Sequence, residues 1–523
     1  MAATPDYTKV SERVKGFDGK SYTLGEFLIE EGLVQESTDQ SGMDLRTPLA
    51  RYQKGEESRF SMNIPVMSAS MQAVTGSEMG IALSMLGGIG PIFCSQPIDR
   101  QAEMVRRVKH HKAGFVESES NLKPSDTLEA AIELTDKMGH STIAITSDGS
   151  PHGELLGLIT RNDYLRDDGI CDPKKPVRDY MTPFDKLVVG TDGISLEDAN
   201  RLMYERKTGK LPIVDSDNNL RSIVFRRDWE INKAFPNQLV DDKKRLIAAA
   251  ALNTMDYEER APALVDAGVD VVYFDSSSGF SEYQKKAALW VRDQYPDLII
   301  GGGNITNARA FKFLAEEANL DFIKIGIGGG SICITRQQTN LGKGQGTAVI
   351  EVAEARDAYF HETGTYIPLV SDGSISSDGQ INAALCLGAN TVQMGRYFAM
   401  CNESPPQITV SSNNVRTKGY WGEGSPRARN WQRYDHGNED LSFDEGVEGY
   451  LPVSGPVREV LGLTLMKVRD GMKKFGCRTI AELHQKSQLQ IVSGPTIEES
   501  GSHDIMTLDT SGYRSDQWGG RDN

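Results

Sequence analysis

The chain has 523 residues, 38% of them apolar and 25% charged, which is too long for one ordinary core and suits a globular protein of several units. Its 57 basic and 73 acidic side chains leave a net charge of −16, which argues against nucleic-acid binding, and its longest aliphatic run, residues 246–252, is far too short for a membrane span. Six cysteines without a C-x-x-C pair and eight scattered histidines exclude a disulfide scaffold and a zinc site, so a reducing, cytoplasmic compartment is expected.

The N-terminus, Met1-Ala-Ala-Thr-Pro-Asp6, has neither the basic flank nor the apolar core of a secretory signal. In chain order, residues 64–71 and 88–93 read as the first two strands. An internal repeat follows. Leu128-Glu129 aligns with Leu196-Glu197, and Ile143-Ala-Ile145 with Leu211-Pro-Ile213, at a constant offset of 68. After a three-residue gap, residues 157–164 match residues 222–229. Each copy reads as helix, strand, turn, strand and charged helix start. Neither is large enough to bury a core alone, whereas two can share one. The repeats, about 121–175 and 177–237, form a discrete module over residues 121–237.

Further strand candidates are residues 246–252, 271–276, 298–304, 322–328, 368–372 and 391–395, separated by helical patterns such as 281–294 and 307–318. Strands alternating with helices predict a parallel sheet. Eight of them predict an α/β TIM (β/α)₈ barrel, built from residues 1–120 and 238–523, with the repeat module inserted after its second strand. The strand ends carry polar or glycine-rich sequence: Asp275-Ser276-Ser277, Gly301 to Asn304, Gly326 to Ser331, Ser371 to Ser374, and Gly395-Arg396. Barrel chemistry sits on such ends. Residues 401–450 are polar, aromatic and glycine-rich, and read as a lid over the barrel rather than as part of it.

Gly326-Ile-Gly328-Gly-Gly-Ser331-Ile-Cys333-Ile-Thr335-Arg336 follows an apolar strand. Its glycines let backbone approach a ligand. It is not a dinucleotide fingerprint, because the third glycine of G-x-G-x-x-G falls on Ser331. A lone cysteine is usually a small core residue, and Cys94, Cys386 and Cys477 take that reading. Cys333 lies instead in a polar loop beside Ser331, Thr335 and Arg336, where a nucleophilic thiolate fits. Gly395-Arg396, after the last strand, and Asp372-Gly373-Ser374 before it suit a phosphate site. Asp372 alone would read equally well as a turn residue.

These motifs, in this order, resemble the inosine-5′-monophosphate dehydrogenase family over nearly the whole chain. Ser331-Ile-Cys333-Ile-Thr335 matches its cysteine signature, Ser371-Asp372-Gly373 and Met394-Gly395-Arg396 its phosphate loops, and Arg433-Tyr434 its flap dyad. The repeat is similar to its tandem CBS (Bateman) module. The resemblance implies NAD-dependent oxidation of IMP to XMP, the committed step of guanine nucleotide biosynthesis. Cys333 would attack the purine, and Arg433, oriented by Tyr434, would serve the hydrolysis that follows. Thr335 and Glu445 would offer a second proton route. Ser331, Gly373, Ser374, Gly395, Arg396 and Tyr420 would hold the IMP phosphate and Asp372 the ribose, while Met71, Gly422, Glu423, Gly424 and Glu445 would meet the base. Asp275, Ser276, Ser277, Asn304 and Gly326 would face NAD. Carbonyls of Gly326, Gly328 and Cys333 would bind K⁺, completed by a neighbouring subunit's Glu499, Ser500 and Gly501 (within a segment of about 495–503), in a homotetramer. Ser374 and Ser500 stand where the family usually has glycine.

The module would take an adenine or guanine nucleotide, with Asp163 and Asp228 at the ribose, or none. Two alternatives stand beside this reading. One is GMP reductase, whose relatives generally lack the repeat module and the Arg433-Tyr434 dyad. The other is a CBS-type nucleotide sensor with an inactive barrel.

Overall fold

A computed structural model describes residues 8–34, 42–111, 120–138, 142–164, 171–226, 233–410, 414–429 and 444–501. The chain divides into two compact units, one formed by Met1–Val108 with Ile247–Asn523 and the other by Lys109–Leu246.

The first unit is built on eight parallel strands: β1 Val66–Ser68, β2 Pro91–Ile92, β3 Ala249–Leu252, β4 Val271–Phe274, β5 Ile299–Ile305, β6 Phe322–Ile325, β7 Leu369–Asp372 and β8 Thr391–Met394. They pair in the order β1-β8-β7-β6-β5-β4-β3-β2. A parallel bridge between Met67 and Ile89 joins the two ends of the order into a ring. The strands are short and apolar because both faces are covered: residues 249–252, 271–274 and 322–325 are buried without alternation. The longer helices are α1 Ser77–Leu86, α2 Ile98–Lys109, α3 Tyr257–Asp266, α4 Glu282–Gln294, α5 Ala308–Glu317, α6 Gln345–Thr363, α7 Asp378–Cys386 and α8 Val457–Lys474. Local chemistry sets their starts. Ser281 accepts the Tyr283 amide at the start of α4, and Asn307 accepts the Ala310 amide at the start of α5. The architecture is the expected TIM barrel.

The described parts of the segment read as a lid include regular structure. Ile408–Val410, Arg416–Trp421 and Glu448–Pro452 form a three-stranded antiparallel sheet. Charged residues and glycine interrupt the apolar alternation of these strands, so period-two reading misses them. Arg433 and Tyr434 lie outside the described residues. A second small sheet ties the ends of the unit together, with Leu489–Ile491 between Val14–Lys15 and Phe27–Ile29.

The second unit holds two sheets. Asn121–Leu122, Thr142–Thr146, Leu155–Thr160 and Thr182–Pro183 make one, and Gly190–Thr191, Lys210–Val214 and Leu220–Phe225 the other. The helices Leu128–Met138 and Leu196–Glu205 begin at residues 68 apart, as in the sequence alignment. A bridge between Glu154 and Asn219 links the two halves. Ala144, Leu155 and Leu158 of the first half share one buried cluster with Val214, Leu220 and Ile223 of the second.

Candidate functional site

The carboxyl ends of the barrel strands open into a cavity of about 860 Å³. Met71 follows β1 and Asp275 to Ser277 follow β4. Asn304 lies in β5, Gly326 to Cys333 with Thr335 and Arg336 follow β6, Asp372 to Ser374 end and follow β7, and Gly395-Arg396 follow β8; all reach its wall. Tyr420, Gly422, Glu423, Gly424 and Glu445 reach it from the antiparallel excursion. Every sequence-derived residue of the barrel site within the described region thus lines one cavity, except Glu499, Ser500 and Gly501. These sit in and just after the short helix Gly494–Glu499, away from that wall.

Cys333 has its Sγ 3.3 Å from Thr335 Oγ1, a hydroxyl able to donate to the sulfur. The loop that carries it is held by backbone. Cys333 and Gly446 form an antiparallel bridge, the Ile334 amide donates to Glu445 O at 3.0 Å, and the Val447 amide donates to Ile332 O at 3.0 Å. Gly422 and Gly424 bond the same returning segment, accepting or donating to Val447 and Glu445. The cysteine loop and both stems of the excursion therefore form one hydrogen-bonded ribbon. Arg336, set back from the sulfur, braces the loop through Nε to Ile327 O at 3.0 Å. Burial lowers its pKa, and the nearby Cys333 opposes that shift.

On the opposite side, Asp372 Oδ2 accepts from Asn304 Nδ2 at 2.8 Å and from Lys324 Nζ at 3.3 Å. Burial works against the Lys324 charge, but Tyr273, Asp372 and Asp275 hold its pKa above the ordinary value. Tyr273 is itself pushed up to about 12 by burial and stays neutral; its ring face lies 4.1 Å from Nζ. Gln393 Nε2 donates to the Tyr273 hydroxyl at 2.9 Å, and Ser70 Oγ donates to Asp275 Oδ2 at 3.2 Å. Lys324, Tyr273, Ser70 and Gln393 escaped the sequence reading. The signal was present for two of them: a lysine inside Phe322-Ile-Lys-Ile and a glutamine inside Thr391-Val-Gln-Met are polar side chains in otherwise apolar barrel strands.

The corner that the sequence assigns to a phosphate is built from loops. A Cβ added at Gly395 would lie 3.0 Å from Tyr420 Oη and 3.3 Å from Met71 Sδ, so glycine is what admits both side chains. Tyr420 is raised to about 12, first by burial, while a hydrogen bond with Ser331 opposes the shift. It remains a neutral donor. Arg396 opens the short helix Arg396–Ala399, and its pKa is lowered by burial. Ser374 adopts φ 58°, the left-handed region that glycine enters freely, and its Oγ donates to Gly329 O at 3.1 Å. Ser500 has φ −72°, which any residue adopts.

Glu423 turns its carboxylate away from solvent. Oε1 accepts the Gln72 amide at 2.7 Å and Oε2 accepts Ser95 Oγ at 2.5 Å. The residue that follows β1 is thereby fixed against the excursion. For a monovalent cation the donors on offer are carbonyls, which suit a large, weakly hydrated ion. Gly326 and Gly328 have φ 133° and 71°, conformations open to glycine that turn their carbonyls. Among the described residues no cluster of His, Cys, Asp and Glu could hold a metal, and no helix is long and apolar enough to cross a membrane.

A family model described as IMP dehydrogenase / GMP reductase domain matches residues 22–503. An inosine-5′-monophosphate dehydrogenase from Tritrichomonas foetus is 47% identical over 497 residues, covering 95% of this chain and 98% of its own. One from Escherichia coli (strain K12) is 37% identical over 460 residues, covering 87% and 91%. A crystal structure of a GMP reductase variant from Trypanosoma brucei, in complex with guanosine 5′-monophosphate, matches with TM-score 0.76 and 28% identity over 93% of this chain and 98% of that one. The unit Lys109–Leu246 is about 26% of the chain, whereas this last match leaves only about 7% uncovered. A GMP reductase can therefore carry a counterpart of most of the module, and the module does not separate the two activities.

Proposed function

The chain belongs to the IMP dehydrogenase / GMP reductase family, and from that premise we propose how its cavity carries out the reaction of the dehydrogenase branch, the oxidation of IMP to XMP. The observation that carries the assignment of residues is that one cavity holds a cysteine loop, an anion corner and two carboxylates on separate strand ends.

Arg396, Tyr420, Ser331 and the amides of Gly373, Ser374 and Gly395 hold the phosphate. Asp372 accepts from the ribose hydroxyls. Met71 and the backbone of Gly422, Glu423 and Gly424 form the wall against the base. Cys333 Sγ, as thiolate, bonds to C2 of the purine. NAD⁺ supplies the hydride acceptor, and Asp275, Ser276, Ser277, Asn304 and Gly326 face it. Water then displaces the sulfur, giving XMP and regenerating the thiol. The balance is IMP, NAD⁺ and water to XMP, NADH and a proton.

Hydrolysis needs a base. Arg433, oriented by Tyr434, is one candidate, although a guanidinium ordinarily titrates above about 12. Thr335 and Glu445 make the other, supported by the 3.3 Å approach of the Thr335 hydroxyl to the sulfur. Both residues lie on the cavity wall. The carbonyls of Gly326, Gly328 and Cys333, with Glu499, Ser500 and Gly501 from a neighbouring copy, would hold K⁺, which would stiffen the cysteine loop. That arrangement implies a homotetramer or another assembly that brings two copies together. The unit Lys109–Leu246 reads as a tandem CBS module taking an adenine or guanine nucleotide. Its Asp163 carboxylate accepts both the amide and the hydroxyl of Thr160 at 2.7 Å, and Asp228 lies outside the described residues. The enzyme would work in the cytoplasm.

The structural match to a GMP reductase favours a second reading, reductive deamination of GMP with NADPH. Incubation with IMP and NAD⁺, followed by the absorbance of NADH, decides between them. NADH formation supports the dehydrogenase. NADPH oxidation with GMP, and no NADH with IMP, supports the reductase. Neither activity would leave a nucleotide sensor with an inactive barrel.

A further inference from the structure

Lys324 sits in the middle of β6, a strand buried along its whole length. Its side chain is 1% exposed. An ammonium taken out of water is unfavourable unless its charge is matched and its hydrogens are placed. An apolar residue would serve a barrel core better, so the charge needs a purpose of its own.

The surroundings indicate that purpose. Nζ lies 3.3 Å from Asp372 Oδ2 and 4.1 Å from the centre of the Tyr273 ring. Asn304 Nδ2 donates to the same oxygen, Oδ2, at 2.8 Å. Two donors from neighbouring strands, β5 and β6, thus converge on one oxygen of the carboxylate. Oδ1 accepts from no protein donor among the described residues, and Asp372 lines the cavity. Gly303 makes the approach possible, since a Cβ there would lie 3.0 Å from Lys324 Cβ and 2.5 Å from its carbonyl oxygen. The Tyr273 ring, fixed in turn by Gln393 at 2.9 Å, closes the other side of the ammonium.

We propose that Lys324 is a positioning residue for nucleotide binding: by holding Asp372 Oδ2 from below, it keeps Oδ1 presented to the sugar hydroxyls of the bound nucleotide. This rests on the reading of Asp372 as the ribose contact given above. Lys324 then acts on affinity through Asp372 rather than on bond making at Cys333.

The test uses the full chain and measures IMP binding by calorimetry together with steady-state NADH formation. Lys324→Met should weaken IMP binding by roughly 10- to 100-fold, with most of the loss in KM for IMP. Asp372→Asn should do the same. The double variant should be no worse than the weaker single one, because both changes remove one presented oxygen. The wild type should also bind 2′,3′-dideoxy-IMP less tightly than IMP, and Lys324→Met should lose most of that discrimination. Multiplying losses in the double variant, or unchanged binding in Lys324→Met, would overturn the positioning role. If Lys324→Met does not fold, Lys324→Gln, which retains a donor, should show the same loss of discrimination in weaker form; full discrimination there would overturn the role as well. A wild type that does not bind IMP at all would sink the reading of the site instead, independently of any variant.

Discussion

At the scale of single residues, the sulfur of Cys333 carries the sharpest expectation. Cys333→Ala removes the proposed nucleophile but touches neither the proposed phosphate corner nor Asp372. Hydride transfer should therefore vanish, with NADH formation down by at least about 10⁴-fold, while IMP binding by calorimetry stays within a few-fold of wild type. Turnover retained in that variant would remove the nucleophile assignment. Ser374 poses a subtler question, because its hydroxyl donates to Gly329 O rather than standing free for a phosphate. Its left-handed backbone costs about 1 kcal/mol for a side chain with a Cβ, and its hydrogen bond returns about as much. Ser374→Gly should thus leave the melting temperature nearly unchanged and KM for IMP within about threefold. A rise above tenfold would mean that the hydroxyl reaches the phosphate directly. Among these residues the sequence was a good guide where polar groups stand at strand ends, as Asp275, Asp372 and Arg396 do. It was a poor guide inside strands: Lys324 and Gln393 face the cavity from within the barrel, and only the ring closure brings them beneath Asp372 and Tyr273.

At the scale of elements, the eight barrel strands were legible because two-sided burial leaves short apolar runs that end abruptly in glycine or polar residues. β6 shows how much one such end must satisfy. Gly326 follows Ile325 with φ 133°, and a Cβ there would lie 2.4 Å from Asp372 O and 2.7 Å from Gln345 Oε1. One of those atoms is backbone of β7, so the clash cannot be relieved by a rotamer change. Gly326→Ala should cost about 2–4 kcal/mol in stability, and it should displace the Cys333 loop from the carboxylate side of the cavity. The check is a pair of measurements: a lower urea midpoint and a loss of NADH formation larger than the loss of IMP binding. Alanine tolerated with full activity would show that the loop is less constrained than its geometry implies. The antiparallel excursion was not legible, for a reason seen in Arg416-Thr-Lys-Gly-Tyr-Trp421. Lys418 is buried with its ammonium on the carbonyls of Cys401, Asn402 and Ser404 at 2.7–2.9 Å, so a charge occupies an inward position that a period-two pattern reserves for an apolar residue. The pairing of residues 445–447 with the cysteine loop is a long-range backbone contact, to which no local pattern corresponds.

At the scale of the whole barrel unit, segments distant in sequence meet around one cluster, and that junction sets a pH dependence. His484, on the helix Ile480–Lys486, bonds through Nε2 to Ala389 O at 2.9 Å. Arg13 from the N-terminal segment donates to Ser487 O at 2.7 Å and to Cys386 O at 3.3 Å, and Arg356 of α6 donates to Gly388 O at 3.1 Å. The His484 pKa is pushed down from 6.5 to about 4, first by burial and next by the charge of Arg356, with Arg13 adding to the shift while Asp357 and the Ala389 bond oppose it. The sign follows directly. Above pH 6.5 the ring is neutral in both folded and unfolded chains. Between 6.5 and about 4 the unfolded chain takes up a proton that the folded chain refuses, so stability falls as pH falls. The full shift corresponds to about 3 kcal/mol, and partial solvent access to the ring reduces the expected effect to about 1–2 kcal/mol. His484→Gln keeps a donor for Ala389 O and does not titrate, so its melting temperature should fall less than that of the wild type between pH 7 and pH 5. That window lies largely above the range in which carboxylates become protonated, which isolates the histidine. Parallel curves for the two proteins would mean that His484 is protonated as readily in the folded chain as in the unfolded one, and that the junction tolerates a third positive charge beside Arg13 and Arg356.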